Sequence, residues 1–210
     1  MKSNNYCTIY LVRHGRTDWN EKGKIQGHTD RVLDSTGKTQ ALELAKELKQ
    51  IKFDKVFSSD LLRAKQTAEI IALEHKLAVE TIKALREREF GIFEGRHWTA
   101  LNKEMEATLK ELDQNSRFSY KHHPSMESDK ELMSRFITFL RELAVGSPGK
   151  NILVVTHGGP MRVLLTKLGK INRGIYFIEI SNLAHIKLES DGVDFFVKET
   201  KGIENRGRKK

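Results

Sequence analysis

The 210-residue chain has one cysteine, three prolines and no apolar run of membrane length. A single thiol, Cys7, closes no internal disulfide and offers no cysteine-based metal framework, so a reducing cytoplasm is the expected setting. The longest uncharged apolar stretches, such as residues 152–155, fall far short of the roughly 20 residues that span a bilayer. That excludes a transmembrane helix, and no membrane partner is expected. The opening Met-Lys-Ser-Asn-Asn-Tyr-Cys lacks an apolar signal core and a small-residue cleavage site, so secretion is not expected. Repeats and Pro- or Ser-rich linkers are also lacking, and this length favours one domain.

What the chain does have is positive charge. Lys and Arg number 37 against 28 Asp and Glu, a net of +9. Such an excess fits nucleic acid, an anionic membrane or an anionic substrate. Its distribution separates these. Residues 198–210 hold six basic and two acidic side chains, a net of +4, which leaves +5 on the rest. The expected organisation is one domain over residues 1–197 followed by a basic, flexible tail. The tail has no interleaved aromatics and no binding module, which argues against nucleic acid as the partner.

Residues 8–12 read as a buried strand that runs straight into Arg13-His14-Gly15. A helix is predicted over 36–51, a second strand over 55–58, and a helix over 60–75 with Ser59 or Asp60 as N-cap. Residues 84–124 lack one clean period, and 96–124 reads as a variable insert containing one helix. Ser128 and Glu131 have capping-box spacing ahead of another helix. The strongest strand, 152–156, ends in His157-Gly158-Gly159 and is followed by a helix over 161–168. Segments 176–180, 184–188 and 193–197 read as closing strands. This alternation predicts an α/β sheet with helices on both faces.

In such sheets ligands bind beyond the carboxyl ends of the strands. His14, Arg63 and His157 all fall there. A guanidinium fork beside an imidazole suits a phosphoryl group, and Arg63 lies in a helix's first turn, where unpaired N–H groups favour an anion. Gly15 and Gly158 let a ligand approach the backbone.

These residues belong to longer strings. Leu11-Val-Arg-His-Gly-Arg-Thr-Asp-Trp-Asn20, with Gln26-Gly27, Asp30, Leu33, Gly37 and Gln40-Ala41, resembles the opening of the histidine phosphatase superfamily in its phosphoglycerate mutase-like branch. Ser58-Ser-Asp-Leu-Leu-Arg-Ala-Lys-Gln-Thr-Ala68 resembles the second motif of that family. Leu85-Arg-Glu87 with Phe90-Gly91 and Glu94-Gly95 resembles the third, and Val155-Thr-His-Gly-Gly159 the fourth. The motifs stand in family order over residues 8–168.

The resemblance implies a Rossmann-like three-layer αβα sandwich with a mostly parallel sheet, in which His14 accepts the phosphoryl group, Arg13, Arg63 and His157 hold its oxygens, and Asn20 and Gly158 line the pocket. It implies Glu87 as proton donor, with Glu89 as the rival acid. Neutral imidazole is a competent nucleophile near pH 7, and cationic side chains can offset transition-state charge without metal or cofactor. A carboxyl close to phosphate charge holds its proton more tightly, as a general acid requires. Two departures bear on substrate choice: Arg16 stands where the family often has Glu or Gln, and Met126 where many members have Gly. Both are expected at the pocket rim. His28, His97, His122, His123, Lys103 and Lys121 are further candidates for substrate contact.

The expected activity is metal-independent hydrolysis of a small phosphorylated metabolite through a phosphohistidine. A phosphoglycerate mutase, sharing the residues but returning the phosphoryl group to a sugar acid, is the first alternative, and the short insert favours hydrolysis over it. A catalytically silent protein binding nucleic acid through its basic tail is the second.

Overall fold

The computed structural model describes residues 6–170 and 178–205. In chain order the elements are β1 (Cys7–Arg13), α1 (Asp18–Glu21), α2 (Ser35–Leu48), β2 (Lys55–Ser58), α3 (Leu62–His75) and β3 (Val79–Thr81). Then follow α4 (Trp98–Glu111), α5 (Gln114–Ser119), α6 (Asp129–Val145), β4 (Asn151–Thr156), α7 (Gly158–Lys167), β5 (Ile178–Ser190) and β6 (Phe195–Asn205). The strands form one sheet in the order β3-β2-β4-β1-β5-β6. Strands β3, β2, β4 and β1 pair in parallel, while β5 and β6 add antiparallel.

Both faces of the sheet are covered, which is why β1 and β4 are continuous apolar runs rather than alternating ones. On one face Tyr10, Val12, Leu153 and Val155 pack with Leu44, Ala45 and Leu48 of α2 and Ala64, Ala68 and Ile71 of α3. On the other, Ile9, Leu11, Ile152 and Val154 meet Leu132, Phe136 and Leu140 of α6 and Met161 and Leu164 of α7. The αβα sandwich is therefore as expected. A third cluster, Ile25, Phe90, Phe93, Leu101 and Met126, lies outside the sheet and ties the insert to the loops.

Several local expectations change. The α3 N-cap is Leu61, with no side-chain cap bond, because Asp60 is committed to a paired ion bond with Arg86 at 2.7 and 2.6 Å. The capping box at Ser128 and Glu131 is present. The insert holds two helices, α4 and α5. Segments 178–180 and 184–188 belong to one strand, β5, whose register against β6 shifts between Ile180 and His185; Tyr176 and Phe177 lie outside the described residues.

The largest correction is at the C-terminus. Lys198–Asn205 is strand, paired with β5 as far as Asn205 opposite Ile178. Period-2 reading stops at Val197 because the charged Lys198, Glu199 and Lys201 that follow read as a solvated tail. The charges there are spent within the fold: Lys198 pairs with Glu189 at 2.9 Å and Lys201 with Glu47 at 2.6 Å. Residues 206–210 lie outside the described residues. Among the described residues, no helix is long and apolar enough to cross a membrane.

Candidate active site

Register alone brings the two histidines together. In the β1–β4 ladder, Arg13 stands opposite Thr156, and the His14 amide donates to Thr156 O at 3.0 Å. His14 and His157 therefore leave adjacent parallel strands at the same level, with ring centroids 5.1 Å apart. The neighbouring strand β2 aligns Ser58 with Val155, and α3 departs from its end, which delivers Arg63 to the same spot. Arg13, His14, Asn20, Arg63, Glu87 and Gly158 line one cavity of about 520 Å³. His157 sits beside His14, fully buried.

His14 is 2% exposed, and its Nδ1 lies 2.8 Å from Gly15 O. A carbonyl only accepts, so Nδ1 carries the proton and donates. Nε2 is left with its lone pair. Burial first, then the positive charge of Arg63 and Arg13, hold His14 well below the usual histidine range. Burial and Arg63 do the same for His157. Both rings are neutral at pH 7, one of them with a fixed tautomer.

The arginines are placed with unusual completeness. Arg63 has no exposed surface, and it donates to Thr29 O at 3.0 Å and Gly27 O at 2.7 Å. Arg13 donates to Ile180 O through Nη1. Burial lowers each to about 10, so both stay charged at neutral pH. Neither makes an ion pair among the described residues, and Arg13 Nε, Arg63 Nε and both ring nitrogens of His157 are sealed from solvent without a hydrogen-bond partner. Buried charge and buried donors in this state are costly. Their convergence around His14 is complementary to a tetrahedral anion.

Glu87 lines the same cavity. Both carboxylate oxygens accept from Gly159 N at 3.1 Å, at the first turn of α7, and Oε1 also accepts from Arg88 N at 2.8 Å. The rival Glu89 is exposed and does not line the cavity. Asn20 lends Oδ1 to Thr17 N and Oγ1, both at 3.1 Å, so its amide group is what remains for the cavity.

Sequence reasoning missed four supports. Glu94 accepts from His28 N at 2.9 Å and Thr29 N at 2.8 Å, shaping the turn whose carbonyls hold Arg63. Asn182 donates to His14 O at 3.0 Å. Arg162 and Glu179 line the cavity. Glu94 carried a signal, since it falls within the third motif; the others carry none.

Other candidates leave the site. Arg16 is not at the rim: it donates to Asp34 at 2.8 Å and Thr36 at 2.9 Å, bracing the start of α2. Met126 is 3% exposed and packs in the third cluster. His28, His97, His122, His123, Lys103 and Lys121 do not line the cavity. Instead α4 and α5 contribute Trp98, Asn102, Met105, Leu109 and Arg117 to it. Among the described residues, no group of His, Cys, Asp and Glu is placed to hold a metal ion.

An αβα sheet with two strand-end histidines and two buried arginines defines an enzyme of the histidine phosphatase type. The model of the histidine phosphatase superfamily (branch 1) matches residues 9–201, and the chain belongs to that superfamily. It is 40% identical over 161 residues to phosphoglycerate mutase-like protein 4 of Arabidopsis thaliana, covering 76% of this chain and 70% of the relative. It is 35% identical over 189 residues to putative phosphoserine phosphatase 2 of Hydrogenobacter thermophilus, covering 87% and 90%. Among solved structures, a phosphoglycerate mutase from Bacillus anthracis superposes with a TM-score of 0.81 at 28% identity, over 95% and 94% of the two chains.

Proposed function

We propose that the chain hydrolyses phosphomonoesters of small metabolites, without metal or cofactor, through a phosphohistidine at His14. The observation that carries this reading is the convergence of sealed, unpartnered donors from Arg13, Arg63 and His157 around His14, whose tautomer leaves Nε2 as the nucleophile. In the first step Nε2 attacks phosphorus, the N–P bond forms and the ester P–O bond breaks. Glu87 gives its proton to the leaving alkoxide. In the second step the same carboxylate takes a proton from water as the water oxygen attacks phosphorus, which frees His14 and inorganic phosphate. Arg13 and Arg63 offset charge on the transferring group. Asn20 and Gly158 line its path. The proposed setting is the cytoplasm, which a single unpaired cysteine suits.

One finding favours water over a sugar acid as acceptor: a relative that matches most of this chain is named a putative phosphoserine phosphatase. A panel of phosphorylated metabolites tests the reading, with phosphate release and 3-phosphoglycerate isomerisation measured on one preparation. Hydrolysis predicts phosphate release far in excess of isomerisation. Isomerisation outpacing phosphate release would make the chain a mutase.

A further inference from the structure

Arg135 lies on α6 and does not line the cavity. Even so, every one of its guanidinium donors is spent on the segment that carries Glu87, or on the residue that anchors it. Nη1 donates to Ala84 O at 2.7 Å and Arg86 O at 2.8 Å, and Nη2 to Glu87 O at 2.8 Å. The remaining donors meet Glu127, Nε at 2.7 Å and Nη2 at 2.8 Å. Thr156 Oγ1 donates to Leu85 O at 2.8 Å and His28 Nε2 to Glu87 O at 2.8 Å. Four successive carbonyls, 84 to 87, are therefore each fixed by a side chain, in a stretch outside every strand and α-helix.

We infer that Arg135 is a positioning residue for proton transfer, setting the main chain of residues 84–87 so that the Glu87 carboxyl reaches the leaving oxygen. The inference rests on the proposed role of Glu87 as general acid. A planar fork with donors fixed in direction can span Ala84, Arg86 and Glu87 at once, whereas a lysine ammonium on a flexible stem cannot. The groups that would bind phosphate make no hydrogen bond with Arg135: Arg13 is held on Ile180 O and Arg63 on Thr29 O and Gly27 O. Loss of Arg135 therefore separates acid catalysis from phosphate binding.

The test compares kcat/KM for glycerol 2-phosphate, whose alkoxide needs a proton, with p-nitrophenyl phosphate, whose phenolate needs little. This parameter covers only the steps through the first phosphoryl transfer. Arg135→Met is expected to lose about 10²-fold on the alkyl ester, the scale of an ångström-sized misplacement, and under about tenfold on the aryl ester. Arg135→Lys should recover part of the alkyl loss. The double variant Glu87→Gln/Arg135→Met should be no slower than Glu87→Gln, since both act through one carboxyl. Equal losses on the two esters, or losses that multiply in the double variant, overturn the inference. If Arg135→Met does not fold, Arg135→Lys carries the same comparison. Glu87→Gln failing to distinguish the esters removes the acid assignment and this inference with it; Glu87→Gln distinguishing them while the Arg135 variants do not removes the inference alone.

Discussion

Replacing Gly159 by alanine should separate activity from stability. A Cβ at that position would lie 2.0 Å from Glu87 Oε1, where ordinary contact begins at 3.4 Å. The carboxyl must therefore retreat by about 1.4 Å, or the first turn of α7 must yield. Gly159 is not among the positive-φ glycines, and alanine is favoured over glycine in a helix by roughly 0.8–1.0 kcal/mol. The fold should accept the change, because this gain offsets the loosened hydrogen bond between Gly159 N and the Glu87 carboxyl. Catalysis should not, because an acid displaced by more than an ångström forfeits about 10²-fold in rate. The assay is kcat/KM on glycerol 2-phosphate and p-nitrophenyl phosphate beside a urea unfolding curve. A normal midpoint with a hundredfold loss, concentrated on the alkyl ester, is expected. Wild-type kcat/KM in Gly159→Ala would show that the Glu87 carboxyl does not act from this position.

Stability should fall below about pH 6.5, because His14 and His157 are held neutral in the fold, well below the 6.5 of an exposed ring. The unfolded chain takes up those protons first, at a cost approaching 1.4 kcal/mol per pH unit for each ring. Urea unfolding from pH 7 to 5 measures this, and a flat profile contradicts it. Arg16→Ala should leave kcat/KM unchanged and cost at most about 1 kcal/mol, since its partner is Asp34 rather than substrate; a selective loss on substrates with a second acidic group would return it to the pocket. Truncation after Glu199 should lower both stability and activity, because it strips Ile203 from Ile180, whose carbonyl holds Arg13. Truncation after Asn205 should do neither, and the reverse ranking in melting temperature and turnover would refute the role given to β6.

The parts of the site legible in the sequence are those set by local pattern. The apolar runs before Arg13-His14 and His157-Gly158 mark strands buried on both faces, and a parallel register then places their ends level. Arg63 was legible from its place in the first turn of a helix. Arg16 and Met126 were misread because nearness in sequence does not say which way a side chain turns: Arg16 turns to Asp34 and Met126 into a cluster with Phe90 and Leu101. Strand β6 was cut short at Val197 because Lys198, Glu199 and Lys201 look like a solvated tail until Glu189 and Glu47 are seen opposite. Arg135 and Asn182 have no local signature. Arg135 reaches Glu87 from 48 positions away and Asn182 reaches His14 from 168, a relation that only the folded chain reveals.

The most direct measurement is the identity of the phosphorylated atom. Rapid quench with labelled substrate, followed by peptide mapping and ³¹P NMR, should show an acid-labile, base-stable phosphate on His14, attached at Nε2 because Nδ1 is engaged with Gly15 O. Phosphate on Nδ1, on His157 or on a hydroxyl, or undiminished turnover in His14→Ala, would contradict the account.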